Sequence, residues 1–203
     1  MIKICGIVSR AMAEAAKEAG ADWIGFVFAG SKRQIDSAAA RDISRSVPGI
    51  GKVGVFVNAP LTEVQEIARQ CKLDYVQLHG EESAAYCRSL SLPVIKAVRA
   101  QSLSIEEVNA YPADWILLDS VSGKQFGGTG VSFAWQELQK VRRHIAKPLL
   151  IAGGLHAGNV REASGLLVPD GVDVSGGVEL NGVKSAEKIY EFIRTVRKGE
   201  AHA

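Results

Sequence analysis

The sequence has little cysteine, and the three cysteines form no pattern. They stand at positions 5, 71 and 87 of 203 residues, an odd number without the paired spacing that a disulfide framework or a structural zinc site needs. Cys71 and Cys87 lie in stretches with helical periodicity, where a free thiol usually behaves as a small apolar side chain. We therefore expect reduced thiols and no structural metal.

An excess of charge of one sign and a long apolar run are also missing. Lys and Arg number 24 against 22 Asp and Glu, a net charge of +2, which creates no strong field for nucleic acid or a membrane surface. The longest uncharged stretch, 148–160, is shorter than the ~20 apolar residues of a membrane span. The first residues, MIKICGIVSR, lack the apolar core of a signal peptide. We expect a cytoplasmic protein with neither a nucleic-acid nor a membrane partner.

Short apolar runs recur along the whole chain. Continuous rather than alternating runs are typical of strands buried on both faces of a parallel sheet. The predicted strands are 2–5, 23–28, 53–57, 75–78, 94–98, 115–118, 149–152 and 172–174. Stretches with helical periodicity follow them at 9–19, 37–46, 60–71, 82–90, 103–110, 133–145, 156–165 and 184–197.

This order of strand and helix, repeated eight times, predicts the fold. It favours an α/β protein of one domain, residues 1–203, folded as a (β/α)₈ barrel. The alternative is an open doubly wound sheet, which more often uses five or six strands. The long connection at 120–132, with four glycines in SVSGKQFGGTGVS, is predicted to be a loop that closes over a ligand.

In such a barrel the chemistry lies where strands end, and two strand ends carry groups that transfer protons. Cys5 ends the first strand and Asp119 the sixth. A thiolate acts as a base only if its pKa falls toward neutral, and a carboxyl acts as an acid only if desolvation raises its pKa. On residue type alone, a small core residue is the favoured interpretation of Cys5, whereas Asp119 suits a helix cap or turn as well as an acid.

Glycines follow the last two strands. Gly153 and Gly154 end the seventh strand, and Ser175, Gly176 and Gly177 follow the eighth. Backbone N–H groups approach a phosphate closely only where no Cβ intervenes, and these two loops form the usual phosphate site of the barrel. The alternative is that the glycines only permit tight turns. We predict a phosphate site with the Ser175 hydroxyl beside it.

The motifs together resemble a known family. KICGI (3–7), GFVF (25–28), SKRQI around Arg33, GVFVN (54–58), VQLHG (76–80), LLDS with GGTG (117–130), AGGL (152–155) and DVSGGVE (173–179) occur in this order. They resemble phosphoribosylanthranilate isomerase over the whole chain. That resemblance implies a barrel without cofactor or metal that acts on a small phosphorylated sugar in tryptophan biosynthesis.

The resemblance also implies residue roles. The family converts N-(5-phosphoribosyl)anthranilate to 1-(o-carboxyphenylamino)-1-deoxyribulose 5-phosphate by an Amadori rearrangement. By the same resemblance Asp119 is the general acid for ring opening and Cys5 the general base at carbon 2. Arg33 holds the anthranilate carboxylate through a planar guanidinium, and His79 and Asp173 line the cavity.

Two rival enzymes and a non-enzyme stay as alternatives. The histidine-pathway sugar isomerase resembles the chain less well, because it typically carries Asp where Cys5 stands and shows two similar half-barrels. A pentulose-phosphate epimerase would need paired catalytic Asp residues and metal-binding His residues, and His79 alone does not supply them. A phosphate-binding barrel without catalytic activity would not explain why Cys5 and Asp119 both stand at strand ends. Since the exposed helix faces look ordinary, we expect a monomer, with a homodimer as the alternative.

Overall fold

A computed structural model describes residues 1–99, 104–119, 139 and 142–200, with side chains up to 198. Eight parallel strands, each paired with the next in chain order, form a barrel that closes between β8 and β1. The strands are β1 Ile2–Cys5, β2 Trp23–Val27, β3 Gly51–Phe56, β4 Tyr75–Leu78, β5 Val94–Arg99, β6 Trp115–Asp119, β7 Leu149–Ala152 and β8 Gly171–Val174. The predicted barrel is confirmed, and the open sheet is excluded.

The strands read as continuous apolar runs because each is buried on both faces. In β1, Ile2 and Ile4 belong to the apolar layer between barrel and helices, whereas Lys3 and Cys5, of the opposite parity, face inward. A second apolar cluster fills the barrel interior around Trp23, which lies 4.6 Å from the ring of Tyr75 and 5.1 Å from that of Trp115. The amino-terminal half of the interior is thus a packed core, and the opposite end stays open for chemistry.

Helices follow the strands and cover the barrel. The described helices are α1 Arg10–Ala19, α2 Ser37–Ser46, α3 Leu61–Cys71, α4 Ala84–Arg88, α5 Ile105–Ala110, α6 Val160–Leu167 and α7 Ala186–Glu200. Side chains of Ser9, Asp36 and Ser104 accept hydrogen bonds from backbone N–H groups in the first turns, and α1 ends at Gly20 in the left-handed conformation. None of the helices described is long and apolar enough to cross a membrane.

Some element bounds differ from the sequence-based ones. The fourth helix starts after Ser83, because the Ser83 side chain accepts from the N–H of Tyr86, and it is five residues long rather than the predicted 82–90. The last helix starts at Ala186 because Lys184 belongs to a short antiparallel hairpin, β9 Glu179–Leu180 with β10 Val183–Lys184. The predicted closing loop at 120–132 lies outside the described residues, as does most of the predicted helix at 133–145.

Four aspartates repeat one interaction at the amino-terminal end of the barrel. Each stands directly before an even-numbered strand, and its carboxylate accepts a hydrogen bond from a backbone N–H at the start of the preceding strand. The pairs are Asp22 with Ile2 at 2.7 Å, and Asp74 with Lys52, Asp114 with Val94 and Asp170 with Leu149, each at 2.8 Å. The same interaction therefore joins β1 to β2, β3 to β4, β5 to β6 and β7 to β8.

Removing one of these carboxylates tests its contribution to the fold. Asp114→Ala leaves the N–H of Val94 without this partner, so we expect the free energy of unfolding in urea to fall by about 1–2 kcal/mol. The control is Asp42→Ala, which removes an exposed carboxylate paired only with Arg41 next to it among the described residues, a contact of little value. Equal midpoints for both variants would contradict the proposed tie between strands.

Candidate active site

All of the site residues singled out in the sequence line one cavity at the carboxyl-terminal end of the barrel. The cavity has a volume of about 530 Å³. Its walls include Cys5, Arg33, His79, Asp119, Gly153, Gly154, Asp173, Ser175, Gly176 and Gly177. A larger cavity of about 630 Å³ shares His79 and Asp119 but none of the phosphate-loop glycines. The smaller cavity is therefore the candidate site, since it alone joins the proton-transfer groups to both glycine loops.

Cys5 forms the floor of the site. Its side chain is buried, with 8% of the residue exposed, yet it lines the cavity. The β1–β2 register sets Cys5 beside Gly25, where a Cβ would lie 2.9 Å from the sulfur. Burial raises the pKa of the Cys5 thiol, and the nearby Lys3 ammonium acts in the opposite direction. The thiol is thus positioned to meet a ligand, and its burial favours the protonated form.

Asp119 lies on another wall, at the end of β6, in contact with His79. The Nε2 atom of His79 is 3.3 Å from Oδ2 of Asp119, and Nδ1 of His79 is 2.9 Å from Nε2 of Gln77. With the Gln77 amide in this orientation, Nδ1 accepts and the imidazole proton sits on Nε2, facing the carboxylate. Gln77 therefore orients His79, and His79 in turn contacts Asp119.

Arg33 reaches the cavity over the end of β1. Its Nε and Nη2 atoms both donate to Glu179, with Nη2 3.1 Å from Oε2. A guanidinium has a second pair of donors at its outer end, Nη1 and Nη2, so this contact leaves one edge for a ligand. Gly6 allows the Arg33 side chain to pass over the end of β1. The φ of Gly6 is +77°, and a Cβ at this position would lie 2.5 Å from Cδ of Arg33.

Glu179 is a buried centre of charge beside the site. Besides Arg33, it accepts from Lys32 at 3.2 Å and from Lys184 at 3.0 Å. Burial by itself would raise the pKa of Glu179, but the hydrogen bonds from Arg33, Lys184 and Lys32 lower it to about 2. Glu179 stays ionised and ties the loop after β2 to the hairpin after β8.

The two glycine loops approach each other too closely for side chains. Gly153 and Gly154 have φ values of +87° and +65°, which favour glycine. A Cβ on Gly177 would lie 1.9 Å from the carbonyl oxygen of Leu155. Gly176–Val178 forms a single 3₁₀ turn, whose first N–H groups have no partner within the turn. These loops thus supply the bare backbone that an anion site requires.

Ser175, predicted to lie beside the phosphate site, lines the cavity, and its hydroxyl is hydrogen-bonded within the protein. Its Oγ donates to the carbonyl oxygen of Cys5 at 3.0 Å and accepts from Lys184 at 3.2 Å. Both contacts hold the start of the loop against the end of β1. The hydroxyl therefore also holds the loop in place.

Sequence reasoning missed three of the groups that organise this site. Lys3 and Glu179 are only parts of motifs in the sequence analysis, and Lys184 is only the start of a predicted helix. A lysine inside an otherwise apolar strand, at the same parity as Cys5, is a signal that could have identified Lys3. Among the described residues, no group of three or more His, Cys, Asp or Glu side chains is placed to hold a metal ion.

Comparisons with known proteins agree on one family. The family model described as N-(5′-phosphoribosyl)anthranilate (PRA) isomerase matches residues 2–195. A Desulforamulus reducens protein named N-(5′-phosphoribosyl)anthranilate isomerase is 45% identical over 199 residues, covering 97% of this chain and 95% of the relative.

Solved structures give the same relationship. Phosphoribosyl anthranilate isomerase from Thermotoga maritima superposes with a TM-score of 0.86 at 38% identity, covering 97% of this chain and 98% of that one. A phosphoribosyl anthranilate isomerase in complex with reduced 1-(o-carboxyphenylamino)-1-deoxyribulose 5-phosphate has a TM-score of 0.83 at 36% identity, with the same coverage.

The charge centre at Glu179 predicts a pH-dependent stability. A carboxylate whose folded pKa is about 2, against an ordinary value of 4.5, contributes fully above the ordinary value, and the contribution is lost as the pH falls toward 2. We expect Glu179→Gln to lower the free energy of unfolding at neutral pH by on the order of 3 kcal/mol. The difference from the parent should shrink as the pH falls from about 5 to 2.

The measurement is urea unfolding of parent and variant across this pH range. The control, Glu106→Gln, removes an exposed carboxylate on α5 and should show a small difference that hardly changes with pH. A Glu179→Gln difference that stays constant from neutral to acid pH would contradict the assignment of Glu179 as the charge centre.

Proposed function

Because the chain belongs to the N-(5′-phosphoribosyl)anthranilate isomerase family, the isomerases of tryptophan biosynthesis, we propose that Cys5 is the general base and Asp119 the general acid of the Amadori rearrangement of N-(5-phosphoribosyl)anthranilate. One observation carries the proposal: a thiol on β1 and a carboxyl on β6 line different walls of the same cavity. A sugar held between them meets a proton donor on one side and a proton acceptor on the other, as an aldose–ketose isomerisation requires.

The two groups divide the chemistry. Asp119 gives a proton to the furanose ring oxygen as the bond from that oxygen to carbon 1 breaks, and the nitrogen lone pair forms the C=N bond of the Schiff base. The Cys5 thiolate then removes the proton from carbon 2. The electron pair of that C–H bond forms the C1=C2 bond of the enolamine as the π pair of the C=N bond returns to nitrogen. Tautomerisation of the enolamine yields the ketose, so no net proton is gained or lost.

His79 supports the acid in this proposal. Its Nε2–H faces Oδ2 of Asp119 at 3.3 Å, and the Gln77 amide holds its other nitrogen at 2.9 Å. A hydrogen bond in this place stabilises the carboxylate that remains after the proton has left. His79 is therefore a positioning residue for Asp119, and Gln77 a positioning residue for His79.

Substrate binding is assigned to groups at either side of the proton-transfer pair. The guanidinium edge of Arg33 that Glu179 leaves open suits a carboxylate such as that of anthranilate. Backbone N–H groups at Gly153, Gly154, Gly176 and Gly177 suit the 5′-phosphate. Asp173, which lines the cavity from β8, is assigned to the sugar. The substrate is thereby fixed at both ends, with its reacting carbons between Cys5 and Asp119.

The role of Asp119 predicts the effect of one substitution. Asp119→Asn keeps the shape of the side chain but has no carboxyl proton to deliver to the ring oxygen. We expect kcat to fall by about 10² to 10⁴-fold, with circular dichroism and the unfolding midpoint close to those of the parent. The matched control is Asp42→Asn on the exposed face of α2. Turnover of Asp119→Asn within a few-fold of the parent would refute the assignment.

The role of Cys5 predicts a loss that the other cysteines do not share. Cys5→Ser replaces the thiol by a far weaker acid, whose hydroxyl is a poor base without further help, so we expect kcat to fall at least 10²-fold. Cys87→Ser is the control, because Cys87 is buried outside the cavity and donates to the carbonyl of Pro112, a contact that a hydroxyl can replace. If both variants keep nearly full turnover, Cys5 is a packing residue.

A further inference from the structure

A charged side chain is fully buried directly below the floor of the active site. Lys3, in the middle of β1, has 0% of its surface exposed. Lysine is almost never fully buried unless it is paired, because the ammonium loses its hydration. The side chains that fill the barrel interior around it, among them Trp23, Val53 and Leu117, are apolar. A cation in this position needs a specific reason.

The partners of Lys3 follow from strand geometry. Lys3 and Cys5 are two residues apart on β1, so their side chains point to the same face. The β1–β8 register sets Lys3 opposite Asp173, and Nζ of Lys3 lies 3.0 Å from Oδ1 of that carboxylate. Lys3 therefore stands in the same inward row as Cys5 and pairs with Asp173 across the seam of the barrel.

The lysine and the thiol pack against the same residue of β2. A Cβ placed on Gly25 would lie 2.9 Å from the sulfur of Cys5 and 3.2 Å from Cε of Lys3. Both side chains thus pack over the same bare backbone of Gly25. A larger residue there would force them apart, so the glycine keeps the ammonium beside the sulfur.

We propose that Lys3 is the positioning residue for the base: its buried ammonium stabilises the Cys5 thiolate, and Asp173 limits how much of that charge the sulfur experiences. The inference rests on the proposed role of Cys5. An ion pair that merely filled space would be replaceable by apolar side chains without loss, because burying two charges is costly. Placed beside a thiol, the same pair supplies the cation that a buried thiolate requires.

The other charges around Cys5 are arranged so that Lys3 is the close cation below the sulfur. The carboxylate of Asp173 faces the Lys3 ammonium from β8. Lys184 of β10, whose pKa burial lowers, is committed to Glu179 and to the loop at Ser175. Arg33 is held by Glu179 above the end of β1. His79 and Asp119 stand on another wall of the cavity.

The experiment titrates the thiol in the free enzyme. Cys71→Ser/Cys87→Ser is the background, so that Cys5 is the only cysteine. The ultraviolet absorbance of the thiolate and the rate of alkylation by iodoacetamide are followed against pH, with the same protein carrying Cys5→Ser as the blank. The compared variants are Asp173→Asn and the double variant Lys3→Met/Asp173→Asn, which leaves no lone buried charge and so avoids the main cause of misfolding.

The two variants have opposite expected signs. Asp173→Asn leaves the ammonium unopposed, so the thiol should titrate at a lower pH than in the background protein. Lys3→Met/Asp173→Asn removes the cation, so the thiol should titrate about one pH unit or more above Asp173→Asn. The pH at which kcat/KM is half-maximal should move in the same directions.

A purely structural ion pair predicts a different pattern. Stability would change, but the thiol would titrate at the same pH in both variants, and this result would overturn the proposal. If only one variant folds, that variant is compared with the background protein: the thiol should titrate at a lower pH in Asp173→Asn and at a higher pH in the double variant, because Lys3 acts on the Cys5 thiol more strongly than Asp173 does. An unchanged titration pH, or a change of the opposite sign, contradicts the proposal. The titration needs no substrate, so it fails or succeeds separately from the turnover of Cys5→Ser, which tests whether the thiol is the base at all.

Discussion

Closure of the barrel between β1 and β8 is the constraint on which the active site depends. The parallel register at this seam sets Lys3 against Asp173 and brings Ser175, just past the end of β8, to the carbonyl of Cys5. A slip of one residue would turn every inward side chain outward. The apolar layer between the barrel and its helices holds that register, because Ile2 and Ile4 can be buried there only when Lys3 and Cys5 face inward.

Charge is concentrated at the places where loops must be held around the open end. Glu179 joins two loops through Arg33, Lys32 and Lys184, and the Lys3–Asp173 pair lies below the thiol. Each ion pair is at least partly withdrawn from water, where electrostatic interactions are stronger and screened less by salt. The site is therefore pre-organised by its own charges before a substrate arrives.

Several features escaped prediction because their signal is short or nonlocal. The strand-joining aspartates are single residues: Asp22 and Asp114 share the short sequence ADWI, but Asp74 and Asp170 stand in different surroundings, so the fourfold pattern is not visible along the chain. The small hairpin at Glu179 and Lys184 carries no apolar alternation, and Lys184 was assigned to the final helix. The hydrogen bond from the Ser175 hydroxyl to the carbonyl of Cys5 joins two strand ends that are 170 residues apart in the chain.

The amino-acid sequence by itself determined the barrel, the order of its elements and the side chains at the strand ends, because these follow from local periodicity and from the rule that chemistry lies at the carboxyl ends of parallel strands. Only the tertiary structure decided which of these side chains touch. That Lys3 meets Asp173, that Gln77 orients His79, and that Glu179 occupies one edge of Arg33 depend on strand register and on close approaches at glycines. The contacts of Lys3 and Arg33 join residues far apart in the chain, so no local pattern records them.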